Sequence, residues 1–109
     1  MAASKTWIRV ARVEDIDATI PFLVELNDRA VALYRAQDVV HATDDTCSHA
    51  QASLCEGEYH GYIVTCPRHG GQFDIRTGQA IKMPAIVPIH VFPVRAEDGD
   101  VFLSPDDLS

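Results

Sequence analysis

The chain has 109 residues, 47% of them hydrophobic and 23% charged, which bounds it to one ordinary globular domain. Its formal net charge is −7, with nine Lys and Arg scattered among sixteen Asp and Glu, which argues against a nucleic-acid binder, whose phosphates demand clustered cations. No run nears the roughly 18–20 apolar residues of a membrane span, and the first residues lack the apolar stretch of a secretory signal, so a cytoplasmic protein without a membrane tether is expected.

Strand signals dominate from the start. Residues 7–13 alternate, with Ile8 and Val10 expected on one face and Arg9 and Arg12 on the other. Residues 14–18 have room for one helical turn. Residues 19–26 and 30–35 are apolar runs joined by Asn27-Asp28-Arg29, a hairpin signal, and residues 39–42 add a third strand after Ala36-Gln37-Asp38. Pro21 cannot donate to a ladder, so it belongs at an edge or a bulge. Residues 43–54 carry little core-forming pattern and read as a loop. His60-Gly61 then reads as a turn, 62–65 as a short strand, 67–71 as a second loop and 72–75 as another strand. Arg76-Thr77-Gly78 is a turn, and Lys82-Met83-Pro84-Ala85 a third loop. Residues 88–96 and 100–103 are expected to form a last hairpin around Glu97-Asp98-Gly99. Short strands with this punctuation predict an all-β fold, a small antiparallel sandwich or barrel. Two loops projecting from such a body can converge at one tip.

The chemistry concentrates in those loops. Cys47-Ser48-His49 and Cys66-Pro67-Arg68-His69-Gly70 each bring one thiolate and one imidazole, with sixteen residues between the two peptides. Two sulfur and two nitrogen donors suit iron–sulfur clusters and zinc alike, so the donor set by itself leaves the metal open. The arrangement differs from the usual zinc site, where one loop supplies both Cys and another both His. Gly70 and Gly71 would let backbone approach the centre closely. Cys55 is left over and is expected to be a free, buried thiol. His41, His60 and His90 have no Cys two or three positions before them and read as surface or half-buried residues. Asp44 and Asp45 either orient the first loop through side-chain-to-backbone bonds or are solvated. The acidic groups Glu14/Asp15/Asp17, Glu97/Asp98/Asp100 and Asp106/Asp107 read as a solvated surface, or as charge that steers the chain towards basic partners. Neither a Gly-rich dinucleotide fingerprint nor a 2-His-1-carboxylate set stands out.

The pattern C-x-H, a gap, then C-x-x-H-G resembles the signature of the Rieske iron–sulfur family. The resemblance implies one 2Fe–2S cluster, with Cys47 and Cys66 on one iron and His49 and His69 on the other. Ser48, Ala50, Arg68, Gly70, Gly71, Phe73 and Pro84 would frame the cluster and the electron exit, Pro84 because Rieske proteins place a proline-containing loop there. The implied layout is a single domain over 1–109, with base sheets about 5–43 and 86–104 and a cluster-binding subdomain about 44–85. High-potential respiratory members add a Cys pair, a Ser and a Tyr. The matching positions here hold Ala52, Arg68, Gly71 and Phe73, so a potential low in the Rieske range is expected. The longer run C-P-x-H-G-x-x-F-D-x-x-T-G is similar to that of the soluble ferredoxin components of bacterial aromatic-ring-hydroxylating dioxygenase systems. That likeness implies a monomeric one-electron carrier and no enzyme in its own right. Its partners would be an NAD(P)H-dependent flavin ferredoxin reductase and a terminal Rieske non-haem iron oxygenase. The alternatives are a Rieske-like small subunit of a nitrite reductase and a zinc-stabilised interaction module without redox activity.

Overall fold

The computed structural model describes residues 6–46, 52–68, 70–83 and 87–104. Among these, eleven strands form three antiparallel sheets. The first sheet pairs β1 (Ile8–Arg12), β11 (Asp100–Leu103) and β10 (Arg95–Glu97) in that order. The second runs β2 (Phe22–Leu26), β3 (Arg29–Ala36), β4 (Val39–Asp44) and β9 (Val91–Phe92). The third is built from one stretch of chain: β5 (Glu58–His60), β6 (Ile63–Thr65), β7 (Gln72–Asp74) and β8 (Ala80–Lys82).

The expected meander forms because its turns have the right chemistry. Asn27 and Asp28 (φ 53° and 62°) and Gln37 and Asp38 (φ 51° and 64°) all adopt left-handed backbone. Two such residues in a row give the twist of a type I′ turn, which matches the flanking strands. Leu26 therefore faces Arg29, and Ala36 faces Val39. Pro21 stands just before β2, at the edge of its sheet.

Three expectations are corrected. The register of β1 shifts between Arg9 and Ala11, so Ala11 is the buried residue while Ile8 is exposed. Residues 88–96 are not one strand: β9 pairs with β4, and after Pro93 the chain crosses to the first sheet as β10. Proline lacks the N–H that a continuous ladder needs, which suits a crossing point. Strands β5 and β8, and the 3₁₀ turn Leu54–Glu56, occur where no regular structure is expected. A second 3₁₀ turn, Val13–Asp15, supplies the expected single turn.

The core has two parts, and β3 belongs to both. Val31 and Leu33 point into a cluster with Ile16, Val40, Phe92, Val101 and Leu103. Ala32, Tyr34 and Ala36, on the opposite face, join Leu54, Tyr59, Val64, Cys66, Phe73, Ile75 and Ile89. All four residues from Val31 to Tyr34 are fully buried. Tyr59 ties the third sheet to the second. Its N–H donates to the Thr19 carbonyl (2.8 Å), while its hydroxyl accepts the Arg35 N–H (2.8 Å) and donates to the Asp17 carbonyl. Its ring meets Tyr34 edge-on, with centroids 5.1 Å apart.

Candidate metal centre

Strand β4 leads into the first loop, which is closed at its base. Thr46 and Ser53 form an isolated antiparallel bridge. Asp45 is buried and works in three directions. Its N–H donates to the Ala30 carbonyl (3.2 Å), its own carbonyl accepts the Leu54 N–H (2.7 Å), and Oδ1 accepts the Cys55 N–H (2.9 Å). Of the two readings of the acidic pair, loop orientation holds for Asp45. Asp44 instead forms a bidentate pair with Arg29, at 2.9 and 3.0 Å.

The second loop is the turn of the β6–β7 hairpin. Thr65 pairs with Gln72 in the ladder, and Gln72 Nε2 also donates to Thr65 Oγ1 (3.1 Å). Inside that pair, the Cys66 N–H donates to the Gly71 carbonyl (2.8 Å) and the Gly70 N–H donates to the Cys66 carbonyl (3.1 Å). Cys66 is buried against the core, Gly71 is buried, and Pro67 and Arg68 are exposed. Phe73 is fully buried in the cluster that also holds Cys66 and Leu54. The turn that follows, Asp74 to Gly78, is structural. The Asp74 carboxylate accepts the Arg76 backbone N–H (2.8 Å) and the Nε and Nη2 donors along one edge of its guanidinium, and the Gly78 N–H donates to the Asp74 carbonyl (2.7 Å). These bonds hold the Asp74 carboxyl below its ordinary range, the Arg76 side-chain bond contributing most.

The two loops lie side by side. Gly57, at the exit of the first, sits so close to the second that a Cβ there would be 2.5 Å from the Thr65 carbonyl and 3.2 Å from Pro67 Cδ. Ala52, Ser53 and Glu56 from the first loop and Pro67 and Arg68 from the second line one cleft of about 450 Å³. Ala52 and Cys55 also pack against the core that buries Cys66. Cys55 is a free, half-buried thiol, pushed above its ordinary value by burial first and then by its hydrogen bond to Asp45.

The donor chemistry and this setting fit a 2Fe–2S cluster. A buried cysteine, backed by apolar side chains, stands on a tight hairpin turn next to a second loop of the same donor composition. Cys47, Ser48, His49, Ala50, His69 and Pro84 lie outside the described residues. The other histidines have ordinary places. His60 ends β5 in the open, His90 is exposed beside Phe92, and His41 is half-buried in β4 against Tyr62. Reading the sequence missed Gly57, whose value lies in what faces it across the fold, and nothing local marks it.

The chain belongs to the Rieske [2Fe-2S] domain family, whose model matches residues 6–93. Its cofactor is accordingly a 2Fe–2S cluster. Ferredoxin CarAc of Metapseudomonas resinovorans is 36% identical over 102 residues, which cover 93% of this chain and 95% of that protein. Among solved structures, a Sphingomonas yanoikuyae B1 ferredoxin superposes with a TM-score of 0.85 at 37% identity, covering 93% of this chain and 98% of the other. A chain in the complex of reduced oxygenase and oxidized ferredoxin in carbazole 1,9a-dioxygenase gives a TM-score of 0.83 at 35% identity, covering 93% and 94%. Among the described residues, no helix is long and apolar enough to cross a membrane.

Proposed function

We propose that the chain is a one-electron carrier of an aromatic-ring-hydroxylating system. In this reading it takes electrons from an NAD(P)H-dependent flavin ferredoxin reductase and delivers them to a terminal Rieske non-haem iron oxygenase. Cys47 and Cys66 hold one iron of the cluster, and His49 and His69 hold the other. When bound, the cluster supplies reversible uptake of a single electron at a potential raised by its two neutral imidazoles. The observation that carries the proposal is the meeting of two loops, each with one Cys and one His in its sequence, against one apolar core.

The chain's own residues position and insulate. Asp45 and the Thr46–Ser53 bridge fix the ends of the first loop, and the Cys66–Gly71 and Gly70–Cys66 bonds fix the second. Leu54, Val64, Phe73 and Ile75 close the inner side to water. The outer side, with Pro67 and Arg68 exposed, is left for a small, transient contact that serves donor and acceptor in turn. Residues about 44–85 act as the cluster-binding subdomain, on a base formed by about 5–43 and 86–104. The protein works as a cytoplasmic monomer and is no enzyme by itself.

Three measurements test this. Purified protein should contain iron and acid-labile sulfide, and a colourless, zinc-containing product would replace the carrier with an interaction module. Mixed with candidate reductase and oxygenase components, it should be required for product formation; turnover that is equally fast without it would refute the role. His69→Ala should abolish the rhombic paramagnetic resonance signal of the reduced cluster, and persistence of that signal would remove His69 from the ligand set.

A further inference from the structure

Cations are the scarce charge in this chain, nine against sixteen carboxylates, so each has acidic partners to choose from. Arg9, Arg12, Arg29, Arg76 and Arg95 all pair with a carboxylate, and Arg35 donates to the Val13 carbonyl. Among the described residues, Arg68 and Lys82 are the arginine and the lysine left with neither an ion pair nor a hydrogen bond. They share one end of the third sheet. Arg68 lies in the turn between β6 and β7, and Lys82 ends β8, where it faces Gln72 at the base of that turn. Both are exposed, as is Pro67, and the neighbours of Lys82, Ile81 and Met83, are 46% and 75% exposed. Glu56 lines a cleft with Arg68, yet no ion pair joins the two among the described residues. Exposed apolar side chains beside unneutralised cations give this rim the composition of a docking surface, where apolar contact excludes water and charge sets orientation.

We propose that this rim docks onto a surface of the terminal oxygenase that presents carboxylates to Arg68 and Lys82, with Ile81 and Met83 in apolar contact beside them. The proposal rests on the reading of the chain as a cluster carrier and adds the sign of the partner's charge. The net charge of −7 by itself points the other way, to a basic partner drawn to an acidic protein. The local arrangement and the overall charge therefore make opposite predictions.

The experiment compares Arg68→Glu, Lys82→Glu and Arg95→Glu in the intact, iron-loaded protein, three variants with the same change in net charge. Arg95 stands in the first sheet, paired with Glu97, and serves as the control. Reduced protein is mixed in stopped flow with the anionic cobalt(III)–EDTA complex, each cobalt(III) taking one electron from the cluster and becoming cobalt(II). A change of two charges, met by the complex at roughly 8 Å in water, alters the encounter about fivefold at low ionic strength. Arg68→Glu and Lys82→Glu should slow oxidation by about that factor, and Arg95→Glu should change it far less. The cationic cobalt(III) tris-phenanthroline complex should respond in the opposite sense, which separates surface charge from a shift in potential. Equal effects in all three variants overturn the proposal. In the turnover assay with the oxygenase component, the Arg68 and Lys82 variants should raise the carrier concentration needed for half-maximal rate at unchanged kcat, and added salt should narrow the difference. An oxygenase that accepts them as readily as the parent, or more readily, overturns the proposal. Where Arg68→Glu fails to hold iron, Lys82→Glu, outside the loop, decides. A parent protein without iron, or turnover equally fast without it, would refute the carrier reading itself, whereas an active parent with indifferent variants refutes the docking surface alone.

Discussion

Replacing Gly57 with alanine tests whether the two loops are held in register by close backbone approach. Gly57 has φ −105° and ψ −156°, extended backbone that alanine also adopts, so the penalty is one of contact and not of conformation. The added methyl would stand 2.5 Å from the Thr65 carbonyl oxygen, a separation that Cβ atoms do not adopt. Both the Glu58–Thr65 pair of the β5–β6 ladder and Pro67 must move to admit it. Overpacking of this kind costs about 1–3 kcal/mol, and alanine recovers about 0.5 kcal/mol by restricting the unfolded chain. A net loss of about 1–2 kcal/mol lowers the melting temperature by roughly 5–15 °C in a domain of this size. Gly61→Ala is the matched control. Its methyl would meet open space, and the cost of about 1–2 kcal/mol comes from φ +59° alone. Thermal unfolding should therefore register both variants, while iron per chain should fall for Gly57→Ala and hold for Gly61→Ala. Full iron content and unchanged melting in Gly57→Ala, or equal iron loss in both, would refute the argument.

Tyr59→Phe keeps the ring against Tyr34 but strips partners from the Arg35 N–H and the Asp17 carbonyl. A loss of about 1–3 kcal/mol follows from removing two part-buried hydrogen bonds, measurable by urea unfolding, and a loss below about 0.5 kcal/mol would contradict it. His41 should give the stability an acid-side slope. Burial, and then Arg76, lower its folded pKa, while Asp74 opposes them, and its Nε2 is buried with no hydrogen-bond partner among the described residues. The unfolded chain thus takes up the proton first. This contribution is present above the ordinary value of about 6.5 and is lost as pH falls from there towards the folded value. His41→Phe should flatten that part of the profile, and an unchanged slope would exclude His41 as its source. The reduction potential should lie below about +100 mV, towards the lower end of the Rieske range, and voltammetry giving a higher value would show that Gly71 and Phe73 are no guide to it.

The parts of the fold legible in the sequence are those fixed locally. Asn27-Asp28 and Asp98-Gly99 announce turns because left-handed backbone suits few residue types, and the strands they join follow. Strand β5 escaped because Tyr59 is its only buried residue, between exposed Glu58 and His60, too few for any periodicity. Strand β8 escaped for a related reason: Ile81 and Lys82 are both exposed, and pairing with β7 alone makes the strand. The break at Pro93 was readable as a missing donor, but its destination depends on which sheet has a free edge. At the site, the donor spacing is a matter of composition and stands in the sequence. The fastening of the loops is not. Asp45 reaches across ten positions to Cys55, and Gly57 matters only because β6 passes beside it. The turn Asp74 to Gly78 belongs to the run that resembles dioxygenase ferredoxins and is held by hydrogen bonds of its own.

Strand β3 has no solvent side between Val31 and Tyr34, so neither half of the molecule can let go of it alone. Its amides should exchange with solvent only when the whole chain opens, on one timescale for both halves. A protein built this way meets each partner as a stiff tool. What it presents can be retuned at the loops and rim, while a change in the shared strand will be felt at both ends at once.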